Sequence, residues 1–174
     1  MDARPTPVRA VARGLLGGAV GTAAMNLLLF RRYRRGGGEQ RFADWELSRG
    51  LSSWEDAPAP AQVGRRLIGG LLGRPPPPER AALIGSLMHW AYGLFWGAQY
   101  GLVAGSLGAT RIVPSGIACG TIVWTGDYVV LPLMQIYKPI WRYDVRTLAD
   151  DLSAHLVYGM ATAGAFRLLS PSQH

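Results

Sequence analysis

The sequence predicts an all-α protein, an integral membrane four-helix bundle made of two similar helical hairpins, and three observations predict it. Four apolar blocks are nearly free of charge: residues 14–30 carry none, 81–110 only His89, 112–134 only Asp127, and 152–166 only His155. A motif recurs within them, His89, Tyr92 and Gly93 being spaced as His155, Tyr158 and Gly159 are. A second echo precedes each copy, with Gly17, Gly21 and Thr22 matching Gly116, Gly120 and Thr121. The repeat unit therefore reads as a helical hairpin, and in membrane proteins built from such halves the polar sites tend to lie where the halves meet.

About 20 helical residues cross a hydrocarbon core of ~30 Å. On that scale the chain reads as one transmembrane domain over residues 1–174, with spans at about 12–30, 81–108, 112–135 and 147–169. The first span is a retained helix and not a cleaved leader. Cleavage near Ala23 and Ala24 would put Arg31, Arg32, Arg34 and Arg35 close to the new start, and no small-x-small site precedes a polar segment.

Residues 31–80 form a cytoplasmic or interfacial loop, too polar to span and rich in aromatic residues and proline, with Trp45, Trp54 and prolines at 75–78. Within it, 62–72 reads as a short amphipathic helix, setting Val63, Leu67, Ile68, Leu71 and Leu72 against Arg65 and Arg66. The four prolines form an extended stop before the second span.

Gly85, His89, Gly93, Gly97, Gly101 and Gly105 recur every fourth residue in the second span, a GxxxG-type face. Small residues at this spacing let a second helix come close where lipid supplies no hydrophobic drive. The third span carries Gly116 and Gly120 with Asp127 seven residues on, hence on much the same face. Pro132 lacks an N–H, frees the Tyr128 carbonyl and predicts a bend there. Asp144, Asp150 and Asp151 mark the start of the fourth span, where acidic groups suit the helix dipole, and His155, Gly159 and Ala163 follow as its small face.

The chain has 18 Lys+Arg against 11 Asp+Glu, a formal charge of +7, with Lys138 the one lysine. These cations lie in loops beside the apolar blocks and not on a basic face of a soluble fold, which argues against nucleic acid as a partner. Arg31, Arg32, Arg34 and Arg35, directly after a span, suit the bilayer and its anionic lipid headgroups. The loops after spans one and three hold most of the arginines, so the positive-inside rule makes them cytoplasmic and both termini external. Arg4, Arg9 and Arg13 weigh the other way. The single Cys119 excludes an internal disulfide and reads as a small packing residue.

At 1.5 Å per residue, His89 lies ~12 Å from the loop end of its span, Asp127 and His155 ~10 Å, and Asn26 ~6 Å. All four fall in one leaflet. They form, with Tyr92 and Tyr158, a candidate buried polar site, since an ionisable intramembrane residue needs a partner and is functional by default. The expectation is proton, ion or small-solute handling with no cofactor. Two other readings stand beside it. One is a redox subunit holding haem or a divalent metal through His89, His155 and Asp127; the other is a helix-packing partner, in a homo-oligomer or beside another membrane protein, with no activity of its own. No nucleophile with an adjacent base is visible, so an enzyme is not expected.

The ordered pattern resembles the YagU-like family of small bacterial inner-membrane proteins. The resemblance rests on the Gly-rich first span, on His89, Trp90, Tyr92 and Gly93 leading to Gln99, Tyr100 and Gly101, and on Gly116 and Gly120 with Pro132 late in the same span. It also includes Asp144, Asp150 and Asp151 leading to His155. It covers chiefly 86–169, and the Arg-rich 31–78 departs from it. The resemblance implies a multi-pass protein of the bacterial inner (cytoplasmic) membrane and a place in envelope or acid-stress physiology, and it supplies no catalytic residues.

Overall fold

A computed structural model describes residues 6–108 and 111–170, and Arg4 lies outside them. The order of helices is α1 (Pro7–Arg35), α2 (Phe42–Glu46), α3 (Ala59–Leu72), α4 (Ala81–Leu107), α5 (Ile112–Leu133) and α6 (Val145–Leu168). Short 3-10 turns at Pro78–Arg80 and Ile140–Arg142 lead into α4 and α6. The described residues contain no strand.

Local chemistry sets the ends. α1 starts with Pro7, whose missing N–H costs nothing in a first turn, and closes with Arg32, Arg34 and Arg35 against its carbonyl end. α3 and α4 stop at Gly73 and Gly108, both left-handed with φ of 68° and 63°, a conformation glycine adopts without strain. Pro132 lies in the last turn of α5, which ends one residue later, so here the proline acts as a terminator. Asp144 caps α6 by accepting from the Thr147 N–H at 2.9 Å.

α1 is the centre of the packing, lying between α4 and α6, with α5 on the far side of α6 and α3 against α4. The α1–α4 contact is backbone against backbone. A Cβ on Gly97 would stand 2.5 Å from the Gly18 Cα, and one on Gly101 2.8 Å from the Gly14 Cα. α5 meets α6 in the same way, Gly116 against Met160 and Gly120 against Leu156 and His155. The glycines predicted to pack do so against different neighbours: Gly93, Gly97 and Gly101 meet α1, Gly85 meets Ala61 of α3, Gly159 meets Gly116 and Gly120, and Gly105 is buried.

The matched glycines of the sequence echo face one helix and not equivalent partners in the two hairpins. Gly116 and Gly120 meet α6, the second helix of their own hairpin, whereas Gly17 and Gly21 also meet α6, at Thr162 and Tyr158. The α1 positions that touch α4 are one residue on, at Gly14, Gly18 and Thr22.

Burial is inverted relative to a water-soluble bundle. The interior of the long helices is rich in glycine, alanine and polar groups, with a few larger apolar side chains such as Met25, Val123 and Phe166 among them, and Thr22 and Thr162 are the largest fully buried side chains among the described residues. Leu16, Val20 and Leu27 of α1, Leu83, Leu87, Phe95 and Val103 of α4, and Val113, Ile122 and Val129 of α5 point outward. Two helices, Pro7–Arg35 and Ile112–Leu133, are long and apolar enough to cross a membrane by length and composition. α4 is diluted by His89, Gln99 and its aromatic residues, and α6 by Arg146, Asp150, Asp151 and Arg167.

Loop one is more ordered than its sequence suggests. α2 packs on the end of α1 through Phe30, Tyr33, Phe42 and Trp45, whose rings lie 5.2–6.2 Å apart. α3 begins at Ala59, three residues before the predicted start, and turns Ala61, Gly64 and Ile68 toward Ile84 and Met88 of α4. Leu67, Leu71 and Leu72, expected to lead the apolar face, are exposed. Small residues win the helix contact because they allow the closer approach.

Candidate functional site

Two hydrogen-bonded groups lie between the loop-one and loop-three ends of the long helices and their middle. In the first, His155 of α6 meets Asp127 of α5, Nε2 to Oδ2, at 3.2 Å. The other nitrogen, Nδ1, is 2.9 Å from the Asp151 backbone carbonyl. A carbonyl only accepts, so Nδ1 carries a proton. Nε2 then either accepts from a protonated Asp127 or, as imidazolium, donates to an ionised one. In both states the pair holds one shared proton and no net charge. Tyr92 of α4, expected to be buried but 39% exposed, completes the group by donating its hydroxyl to Asp127 Oδ1 at 2.6 Å. The side chains of His155 and Asp127 are 11% and 17% exposed, so this proton is largely shielded from solvent.

In the second group, Glu46 Oε1 accepts from Asn26 Nδ2 and from Trp90 Nε1, each at 2.8 Å. That fixes the amide of Asn26, which is 2% exposed, with its oxygen toward His89 Nε2 at 2.8 Å. His89 therefore donates from Nε2 and keeps Nδ1 free to take a proton. Ser86 Oγ donates to the Glu46 carbonyl at 3.3 Å, fastening α2 to α4.

The structure thus brings Asp127, His155 and Tyr92 together directly and pairs His89 with Asn26. His89 lies within electrostatic reach of Asp127 and His155 without a hydrogen bond to either. Tyr158 stands apart, donating to the Gly93 carbonyl at 2.6 Å and tying α6 to α4. No group of three or more His, Cys, Asp or Glu side chains comes together as a metal site among the described residues.

Sequence reasoning missed Glu46 and gave Trp90 no place in the polar site. The one signal was the unusual aromatic content of loop one, which the ring cluster on Phe30 explains. It also missed Arg32, grouped with its neighbours as a lipid anchor. Its guanidinium instead donates to the Asp150 carbonyl at 2.6 Å and the Ser153 hydroxyl at 2.7 Å, joining the end of α1 to the start of α6. Arg31, Arg34 and Arg35 remain exposed.

Loop three covers the His155 group with tyrosines. Tyr137 and Tyr143 pack on Tyr128 at ring separations of 5.6 and 5.5 Å. Burial raises the Tyr137 phenol above its ordinary range, and the Asp151 and Asp127 carboxylates add to the shift.

The chain belongs to DUF6789, a family of unknown function, which matches residues 62–174. That match takes in His89, Asp127 and His155 and stops short of Asn26 and Glu46. No curated protein and no solved structure matches the chain.

Proposed function

We propose that this is a multi-pass protein of the bacterial inner membrane, a four-span bundle of two similar hairpins, whose buried His/Asp cluster binds and exchanges protons. The inverted burial supports the membrane reading: leucine, valine and phenylalanine outside and glycine inside suit a lipid solvent, where close backbone packing replaces the hydrophobic force. Arg31, Arg34 and Arg35 at the end of α1 then meet anionic headgroups. Kinship with the YagU-like proteins, and a role in envelope or acid stress, belong to the same proposal.

The observation that carries it is the 3.2 Å contact between His155 Nε2 and Asp127 Oδ2. An imidazole and a carboxylate in contact, with a tyrosine donor on the carboxylate, form a pair whose charge distribution changes without a change in net charge. His89, its free nitrogen nearby, takes up a further proton. Ion or metal ligation has less support, since both His155 nitrogens and one of His89 are engaged. Ligation of haem or metal by His155 would have to break one of these bonds.

The test is imidazole titration by NMR in nanodiscs for the wild type, Asp127→Asn, His89→Gln and His155→Gln. Removing the Asp127 charge should lower the proton affinity of both histidines. Histidines that titrate independently of each other and of Asp127, or not at all, overturn the reading. A packing subunit with no activity of its own, in a homo-oligomer or beside another membrane protein, then takes its place.

A further inference from the structure

A carboxylate stands at the same end of the long helices in each group, Glu46 hydrogen-bonded within the second and Asp151 beside His155 without a side-chain hydrogen bond to it. Glu46 comes from α2, which folds back on the C-terminal end of α1. Asp151 lies in the second turn of α6, next to Asp150 and Ser153, which Arg32 of α1 holds. Its side chain is 30% exposed, and its Oδ1 is 3.6 Å from His155 Nδ1. The cluster therefore has an accessible titratable group on the face of loops one and three.

The opposite end is closed by backbone. Gly14 and Gly18 press on Gly97 and Gly101, Gly17 lies against Thr162, and Gly116 lies against Met160. The α4–α5 seam is looser and is filled by side chains. Tyr92 and Tyr100 bracket it, and Trp96 stands between them, edge to face with Tyr92 at 6.2 Å and over Gly126. Among the described residues, the one side-chain hydrogen bond that joins helices beyond Trp96 is Tyr100 to Ser115 at 2.9 Å.

We propose that the cluster is a one-sided proton-binding site: it exchanges protons through Asp151 with the face of loops one and three and does not pass them to the other face. The protein then registers pH on that face and does not conduct. This rests on the proton-binding reading above. The relay balances at the imidazole: Nε2 takes a proton from Asp127 as the Nδ1–H leaves the Asp151 backbone carbonyl and passes its proton to the Asp151 carboxylate, 3.6 Å away, and the reverse reloads Asp127. The groups facing His155 and its two carboxylates are Asp127 and Tyr128 of α5, Asp151 of α6, Tyr92 and His89 of α4 and, over loop three, Tyr137, with Arg32 of α1 holding the neighbouring turn. Glu46 and His89 form a second arm that takes no part in relay, because the Asn26 amide between them has no proton to pass on without becoming an imidic acid.

The experiment uses full-length protein in proteoliposomes whose sidedness is set by thiol labelling. Histidine ring nitrogens are followed by solid-state NMR while the pH is changed on one side only, and proton flux is read with trapped pyranine under an imposed potential. The His155 signals should follow the pH on the loop face and ignore the other, with flux no greater than in protein-free vesicles. Asp151→Asn, which leaves the backbone carbonyl in place, should slow the response from the loop face. Signals that follow the far-side pH overturn one-sidedness, as does a protein-dependent flux abolished by Asp127→Asn. Histidines that do not titrate overturn the proton-binding reading and this inference with it, whereas coupled titration with far-side access overturns this inference alone.

Discussion

Tyr92 donates its hydroxyl to Asp127 across 2.6 Å, joining α4 to α5 where their backbones hardly meet. The tyrosine comes from the first copy of the repeated motif and the histidine on the other oxygen of Asp127 from the second. The site is thus shared between the two copies, and one carboxylate holds both.

Removing that donor should be measurable. Tyr92→Phe keeps the ring against Trp96 and loses the bond, and the expected loss is about 1 kcal/mol, the scale of an interhelical hydrogen bond in a membrane protein. Unfolding in mixed detergent checks it. An unchanged midpoint would mean that Asp127 finds another donor.

Glu46→Ala should cost more than Glu46→Gln. The alanine leaves the Asn26 and Trp90 donors without an acceptor, at roughly 1–3 kcal/mol for each buried group left unpaired, while glutamine retains an oxygen. The Trp90 indole N–H resonance is a direct reporter, and rapid exchange of that proton in the alanine variant alone is the expected outcome.

Two glycine substitutions in helices should have opposite signs. A Cβ on Gly97 would fall 2.5 Å from the Gly18 Cα and 2.7 Å from its nitrogen, so Gly97→Ala must separate α1 from α4 at a cost of about 1–3 kcal/mol or more. A Cβ on Gly164 of α6 would meet nothing within 4 Å, so Gly164→Ala should stabilise by roughly 0.5–1 kcal/mol. Thermal melts of the two variants decide it.

The Asp144 cap should be acid-sensitive. Its carboxyl is held below its ordinary range, first by the Thr147 hydroxyl and then by the Thr147 N–H. A depressed native value means a contribution that is complete above the unfolded value of ~3.9 and lost as pH falls through the lowered one. Hydrogen exchange at the Thr147 amide should therefore accelerate in that acid window, and Asp144→Asn should remove the pH dependence while keeping a cap oxygen.

Orientation is open to thiol labelling in a Cys119→Ala background. Ser53→Cys in loop one and Ser106→Cys near the end of α4 should lie on opposite sides, with only the latter reached from outside intact cells. The reverse pattern would show that the arginines before α1 set the orientation.

How much of this was legible in the sequence depends on range. The four long helices were, to within a few residues at most ends, because charge-free runs and small-residue periodicity are local properties of the chain. Asp144 was legible as a helix-start residue, whereas Pro132, expected to bend α5, lies in its last turn. The candidate polar residues were legible as unusual groups in apolar surroundings. Their partners were not. An advance of one residue turns a helix face by about 100°, so whether Gly17 or Gly18 meets α4 rests on how the helices rotate and cross.

The sequence by itself determined an all-helical chain with polar groups at similar depth and small residues on the helix faces. The tertiary structure alone decided that Asp127 takes His155 and Tyr92, that His89 takes Asn26, and that Glu46 enters from loop one. The reason is that hydrogen-bond partners are chosen by distances of about 3 Å between groups up to 121 residues apart, and such distances are set by the packing of α1 against α4 and α6.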